Sequence, residues 1–350
     1  MNLNDLLRST GEWLRGEGPS CDIVVCSRVR LARNLADFPF ASRASRGDKL
    51  EIESIARRTF EELDLGLTFF DVDELNQIDR QFLVERQLIS REQANGEGPR
   101  GVAIFPRETI SIMVNEEDHL RIQEMRSGFR LSELWEDINE LDDRIESKIT
   151  YAFSPKLGYL TACPTNVGTG IRVGVMVHLP ALVYVKQIDK VFRGLQKVHL
   201  AVRGLYGEGT QAFGDFYQIS NQRTLGHSER ELVDKLEEII PQVLDHERKA
   251  RQTLLRDRRQ EIKDRVARAL GALTSAHVIS SDETMHLLSI VRMGISLELV
   301  NDLTIPQLNE LFLHTQPAHL QKLQGAVMDS DDRNLARALY LKRKLAEVRG

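Results

Sequence analysis

The stretch Ile110-Ser111-Ile112-Met113-Val114-Asn115-Glu116-Glu117-Asp118-His119-Leu120-Arg121 changes character halfway along. Ile110, Ile112 and Val114 alternate with Ser111 and Met113, the period of a β-strand. After Asn115 come three acids and a histidine, and an arginine stands four residues beyond the middle acid. Taken alone, an acidic run after a strand is most simply a solvated turn. An acid and an arginine together at one strand end are what a site for two oppositely charged substrates needs.

Outward from that stretch the same pattern recurs. Leu157–Thr161, Val173–His178, Val198–Val202 and Phe216–Ser220 read as strands separated by glycine-rich turns. Upstream, Ile23–Val25 reads as a short strand running into an arginine-rich turn. Helical spacing is expected over 1–20, 48–64, 73–90 and 131–145, and Arg91–Arg100 reads as a polar loop. From Ser228 the pattern is helical, with Leu232, Val233, Leu236, Ile239, Ile240, Val243 and Leu244 on one stripe and Pro241 expected to kink or break it. Dense charge over His246–Arg268 implies an exposed helix or connector. Several short helices fill 276–350, with Ser280 and Glu283 as a capping box and Ser330 as a cap for Leu335–Val348. The expected fold is therefore α+β: a mainly antiparallel sheet flanked by helices, followed by an α-helical C-terminal domain, with the boundary near 250–262.

Composition excludes several classes. The 350 residues are 41% hydrophobic and 28% charged, ordinary for a globular protein, and the net charge of −5 gives no general attraction to nucleic acid or anionic membrane. The longest apolar run, 173–185, is broken by His178 and Pro180 and falls short of the roughly 20 residues that span a bilayer. Residues 1–12 do not read as a secretory signal. Three cysteines without CxxC spacing argue against a disulfide framework and a zinc site. HExxH is absent, and no tightly held metal is expected. These features fit a cytoplasmic protein without nucleic-acid or membrane partners.

The polar segments carry the chemistry. Cys26-Ser27-Arg28-Val29-Arg30 places two arginines on one face of an extended chain, where they repel unless an anion lies between them. Surface arginines with carboxylate partners are the commoner explanation of such a pair alone. Cys163-Pro164-Thr165-Asn166-Val167-Gly168-Thr169-Gly170 is small, polar and flexible, which suits close approach of backbone N–H groups to a ligand. It is neither a Walker A loop nor a dinucleotide fingerprint. Cys163 by itself is most simply a buried small side chain rather than a reactive thiol. Arg172 opens the strand of Val173, Val175 and Val177, where a charge needs a partner. Arg203-Gly204-Leu205-Tyr206-Gly207-Glu208-Gly209 brackets an arginine and an acid with three glycines, and alone is a hairpin turn with an ion pair. Together the arginines match phosphate oxygens two at a time, and the glutamates suit a cationic nucleophile, the outline of phosphoryl transfer.

In this order the segments Ser-Arg-Val-Arg, Asn-Glu-Glu-Asp-His-Leu-Arg, Cys-Pro-Thr-Asn-Val-Gly-Thr and Arg-Gly-x-x-Gly-Glu resemble the catalytic domain of the phosphagen (guanidino) kinases over about residues 20–250. Without the separate N-terminal helical domain of creatine and arginine kinases, and with a C-terminal helical extension, the chain looks like the bacterial protein-arginine kinases. The resemblance implies an N-terminal helix (1–20), a catalytic domain (21–255) and a dimerisation or regulatory helical domain (256–350). It implies ATP, with Mg²⁺ bound through the nucleotide, held by Cys26–Arg30, Gln87, Arg121, Arg172–Met176 (Arg172, Val173, Gly174, Val175, Met176) and Arg203–Glu208. Among these, Arg28, Arg30, Arg121, Arg172 and Arg203 would meet the phosphates. Glu117 and Glu208 would clamp the acceptor guanidinium, Glu117 as base, with Cys163 beside it. Implied partners are proteins with exposed arginines, among them a stress-gene repressor, a Clp ATPase/protease, a zinc-binding activator protein and a second copy of the chain. Alternatives are a kinase for a small guanidino metabolite and a non-catalytic phosphoarginine reader. The chain departs from the family at Gln87, where a histidine is usual, and in the C-terminal phosphoarginine pocket, Arg333, Asn334, Arg337 and Ala338, where Asn334 replaces an aspartate.

Overall fold

A computed structural model describes residues 2–204 and 213–349. In chain order the elements are β1 (Val24–Arg33), α1 (Arg46–Glu62), β2 (Thr68–Asp71), α2 (Gln77–Glu85), α3 (Arg91–Asn95), β3 (Gly101–Ile104), β4 (Ile110–Val114), β5 (Leu120–Ser127) and α4 (Leu131–Glu146). There follow β6 (Phe153–Ser154), β7 (Gly158–Tyr159), β8 (Ile171–His178), α5 (Pro180–Tyr184), α6 (Ile188–Lys197), β9 (Leu200–Gly204), β10 (Phe216–Asn221) and α7 (Glu229–Asp257). The C-terminal part holds α8 (Arg259–Ser275), α9 (Ser281–Ser296), α10 (Ile305–His314), α11 (Pro317–Gln324) and α12 (Ser330–Arg349).

Eight strands form one sheet in the order β2-β3-β4-β5-β1-β8-β10-β9, every neighbouring pair antiparallel. β1 is central because it is long and apolar on alternate positions: Val29 and Leu31 are fully buried. Those residues, with Val173, Ile122 and Ile219, join Leu134 and Ile138 of α4 and Leu236 and Ile240 of α7 in the main core. The same core runs without interruption into α8–α12 through Ile262, Leu288, Leu313 and Leu341. A second, smaller cluster under β3 and β4 packs α2 (Phe82, Leu83) and Ala318 of α11 against Val102, Ile104 and Met113.

Several expected elements differ in detail. Instead of one helix over 1–20 there are two short 3-10 turns, Asp5–Arg8 and Glu12–Leu14, because Gly11 sits between them at φ +73. Trp13 and Leu14 still anchor this segment in the core. Arg28 and Arg30 lie within β1, since the strand continues to Arg33. The Arg91–Arg100 segment contains α3, started by the Ser90 hydroxyl accepting the N–H of Gln93. Helix α7 runs unbroken through Pro241, carried by its buried stripe. The Ser280 hydroxyl caps α9 by accepting the Glu283 N–H at 3.1 Å. The last helix starts at Ser330, and the Asp329 carboxylate accepts the Asp332 N–H in its first turn.

Candidate functional site

Register decides which side chains share a face, because directly opposed residues in an antiparallel ladder project to the same side. Arg28 and Arg30 oppose Met125 and Gln123 on β5, and Gly174 and Arg172 on β8. Ala32 opposes Arg121. Gly174 opposes Ser220 and Met176 opposes Gln218, which opposes Arg203 on β9. All five arginines therefore stand on one face, opposite to the apolar core. A narrow cleft opens there, lined by Cys26, Arg28, Arg30, Met125, Arg172, Gly174, Val175, Met176, Gln218, Ile219 and Ser220.

The arginines are partly fixed by neutral groups. Arg28 donates through Nη2 to Gln123 Oε1 (2.7 Å) and through Nη1 to Gln87 Oε1 (3.3 Å). Arg172 Nε donates to the Ser220 hydroxyl at 3.2 Å. The Nε groups of Arg28 and Arg30 are buried without a hydrogen-bond partner among the described residues. Burial, with Arg121 and Arg172 nearby, pushes the Arg28 guanidinium down to about 10. Burial also pulls Arg30 well down, aided by Arg28, Arg121, Arg172 and Arg203. That mutual influence shows the five charges to be one cluster. Unsatisfied donors and crowded cations fit a polyanion, as a nucleotide phosphate tail would supply.

Arg121 is the exception. Burial lowers its pKa, but Glu116 outweighs this and holds it raised. Its Nη1 donates to both Glu116 oxygens at 2.9 Å. Glu116 also accepts from the Ser90 hydroxyl at 2.5 Å. The acidic run is thus divided by role. Asp118 is buried, and its Oδ1 accepts the Asn34 amide (2.6 Å) and the Ala162 N–H (2.7 Å). His119 Nδ1 accepts the Leu35 N–H at 3.0 Å, so its Nε2–H faces the Pro39 carbonyl at 2.9 Å. Glu117 alone of the three acids is exposed, and among the described residues its carboxylate has no hydrogen-bond partner. Partial burial, with Asp118 and Glu116 adjacent, raises its pKa.

Asp118 also places the cysteine loop. Its bond to Ala162 sets Cys163 beside the Glu117 turn. The Cys163 thiol lies 3.0 Å from the Thr165 hydroxyl, and Thr161 Oγ1 donates to the Cys163 carbonyl at 2.8 Å. Thr224 Oγ1 donates to the carbonyls of Thr165 (2.9 Å) and Val167 (2.7 Å), pinning the loop's far side. Gly168 and Gly170 take positive φ, and a Cβ on Gly168 would meet the Thr224 carbonyl at 2.8 Å.

Not every residue of the expected nucleotide segments faces the cleft. Val29 and Val173 pack in the core on the reverse face, and Val175 both packs there and borders the cleft. Ser27 is buried at the rear, donating to the Gly128 carbonyl at 2.9 Å. Leu205, Tyr206, Gly207 and Glu208 lie outside the described residues. Gln123, Ser220, Gln218 and Asn34 were not singled out from sequence. Alternation from Arg121 to Gln123 to Met125 was the available signal for the first. In the C-terminal part, Arg337 is buried and donates to the carbonyls of Thr315 (2.8 Å) and Ile279 (3.0 Å) and to Asn334 Oδ1 (2.8 Å). Arg333 Nη1 donates to the Met328 carbonyl at 2.7 Å, and Ala338 is buried in the core.

Residues 51–250 match the family described as ATP:guanido phosphotransferase, C-terminal catalytic domain, and residues 259–350 match the protein-arginine kinase McsB C-terminal domain. The chain is 44% identical to a protein-arginine kinase of Halothermothrix orenii over 99% of both chains. It is 46% identical to one of Symbiobacterium thermophilum, over 99% of this chain and 100% of that one. Among solved structures, lombricine kinase superposes with a TM-score of 0.58 at 27% identity, covering 65% of this chain and 66% of that one. The duplicated taurocyamine kinase of Schistosoma mansoni with bound transition-state analogue components gives 0.61 at 27%, covering 69% and 36%.

Proposed function

The chain belongs to the ATP:guanido phosphotransferases, and within them to the protein-arginine kinases, and from that premise we propose that it transfers the γ-phosphoryl group of ATP to arginine side chains of proteins. The observation that carries this reading is the division of one sheet face. Five arginines line it from β5 across to the edge strand β9, and the exposed Glu117 stands at the hairpin beyond Arg121 while its two acidic neighbours are engaged elsewhere.

Arg28, Arg30, Arg172 and Arg203 hold the phosphates, and Arg121, braced by Glu116, joins them. Mg²⁺ carried on the nucleotide would neutralise phosphate charge. Among the described residues no group of three or more His, Cys, Asp or Glu is placed to hold a metal. A guanidinium has a pKa of roughly 12.5–13.8, so it must be oriented and deprotonated to attack. Glu117 takes that proton as the N–P bond forms and the bond to the leaving ADP breaks. Its raised pKa makes it a better base than an ordinary carboxylate. Glu208 is assigned the second clamp by the family pattern alone, and Cys163 flanks the acceptor from its loop. The arginines stabilise charge spreading over the transferred group without covalent chemistry.

The acceptor is a protein rather than a small guanidino metabolite, a reading supported by the C-terminal match and by what the relatives are named for. Incubation with ATP and casein, followed by mapping of acid-labile phosphorylation, is expected to find phosphoarginine. Phosphorylation of free arginine with casein untouched would overturn the assignment. The finer expectations extend from the same family: a cytoplasmic location, delivery of marked proteins to a Clp ATPase/protease, relief of a stress-gene repressor, and a zinc-binding activator. A homodimer is supported by exposed Leu335 and Leu339, one turn apart on α12, with exposed Val278 close by where Ile279 N–H meets the Asn334 carbonyl. Phosphoarginine control through the C-terminal pocket is less supported, because Asn334 presents no charge and its oxygen already accepts from Arg337. No helix among the described residues is long and apolar enough to cross a membrane.

A further inference from the structure

The C-terminal turn of α2 is gripped from two sides. On one side stands α11. The buried Glu85 carboxylate accepts the N–H groups of Ala318 (2.8 Å) and His319 (3.0 Å), the first turn of that helix, and His319 Nδ1–H donates to it at 2.8 Å. That tautomer leaves His319 Nε2 to accept from Arg86 Nη1 at 3.2 Å. Arg86, fully buried, is bound in turn to Glu108 through Nε at 2.8 Å. The Phe82 and His319 rings lie 4.4 Å apart, and Lys322 of α11 pairs with Asp79 of α2. Buried charged contacts of this kind are rigid, because loosening one strands an uncompensated group.

On the other side stands the cationic cleft. Gln87, two residues after Glu85, has φ +62. Its carbonyl accepts from Gln123 Nε2 at 2.5 Å, and its Oε1 accepts from Arg28 Nη1 at 3.3 Å. Gln123 holds the other terminal nitrogen of Arg28 at 2.7 Å. Both amides that fix Arg28 are therefore referenced to the backbone of residue 87.

We propose that Glu85 and Gln87 are positioning residues for Arg28, and that α11, by holding Glu85, makes the C-terminal helices a determinant of nucleotide affinity. The proposal rests on the reading of Arg28 as a phosphate-binding residue. Neither Glu85 nor Gln87 need touch the nucleotide. A displacement of α11 relative to α2 moves the carbonyl and amide that orient the guanidinium, and coupling between sites is reciprocal.

The test is calorimetric titration of the full-length protein with MgADP. Glu85→Gln, which replaces one acceptor oxygen by a donor, and Gln87→Asn, which tolerates positive φ but falls short of Arg28, are each expected to weaken binding about 5–10-fold, within the usual range of coupling. The double variant should lose no more than the weaker single, because both act through one guanidinium. KM for the protein acceptor should stay unchanged. Binding within about 2-fold of wild type for Glu85→Gln, or losses that multiply, overturns the proposal. Should Glu85→Gln not fold, hydrogen exchange on the wild-type protein decides: MgADP is expected to slow the Ala318 and His319 amides, and unchanged exchange overturns it. Arg28→Gln separates the two levels. If it leaves MgADP affinity intact, the phosphate-site reading itself is wrong.

Discussion

Arg30 and Arg172 stand directly opposite each other across the β1–β8 ladder. Like charges at opposed positions destabilise a sheet, by up to about 1 kcal/mol, and Arg30 in addition keeps a buried Nε without a partner among the described residues. On the proposed reading, the pair is shaped for an anion that offsets this cost. Arg30→Met is therefore expected to raise the melting temperature of the nucleotide-free protein by a few degrees. It should abolish the further rise that MgADP gives the wild type, and it should reduce kinase activity at least about 100-fold. Scanning calorimetry with and without MgADP checks all but the rate, which a phosphotransfer assay supplies; a destabilised variant that still binds nucleotide contradicts the reading.

The base assignment has a pH signature. As the proposed base, Glu117 acts only when ionised, and partial burial raises its pKa above the ordinary carboxylate value of about 4.3. The rate should rise with pH through that raised value and fall away below it. Glu117→Gln is expected to lower kcat about 10²–10⁴-fold, to leave MgADP affinity within about 2-fold, and to remove the acidic limb of the pH–rate profile. A limb that persists in the variant would assign the titration to another group.

Asp118 works at one remove. Its carboxylate joins the Glu117 turn to the cysteine loop by accepting from Ala162 and Asn34. Asp118→Ala strands the Ala162 N–H, while the Asn34 amide keeps its bond to the Leu160 carbonyl, at about 1–3 kcal/mol of stability. Its kinetic effect is expected on the acceptor, as a raised KM for protein substrate, with KM for ATP little changed. Asp118→Asn retains an acceptor oxygen and should restore most of both. Equal damage to the two KM values would show a general loss of structure instead.

Gly174 keeps the cleft floor open. A Cβ there would meet the Ile219 carbonyl at 2.5 Å and Ser220 Cβ at 2.8 Å. Gly174→Ala must push β10 away from β8, shifting the Ser220 hydroxyl that holds Arg172. Weaker MgADP binding, by about 10-fold or more, is the expected outcome in titration. Unaltered affinity in a folded variant would mean that Ser220 does not govern Arg172.

Much of this was legible in the chain before any coordinates. Strand β4 and helix α4 follow from local periodicity, and the apolar stripe of α7 is strong enough to override Pro241. Elements whose boundaries depend on single backbone conformations were harder. Gly11 divides the first twenty residues, and α3 occupies a segment polar enough to read as loop. The arginines were identifiable as a set. Their being inside β1, rather than in a turn after it, was not, because closely spaced arginines read as a polar turn although Val29 and Leu31 keep the strand's alternation between and after them.

Local chemistry in the sequence determined which groups are available: five guanidiniums, an acidic run, a small-residue loop and a helical C-terminal region. Side-chain type and short-range period are properties of neighbouring residues, and they need no partner to be read. Tertiary structure alone decided how those groups are divided. Register across five strands, from β5 to β9, put every one of the arginines on the same side, and long-range bonds from Asn34, Ser90 and Ala162 engaged Glu116 and Asp118 while leaving Glu117 exposed. Those contacts join residues tens of positions apart, so no local pattern encodes them, and the choice among three adjacent acids exists only once the chain has folded.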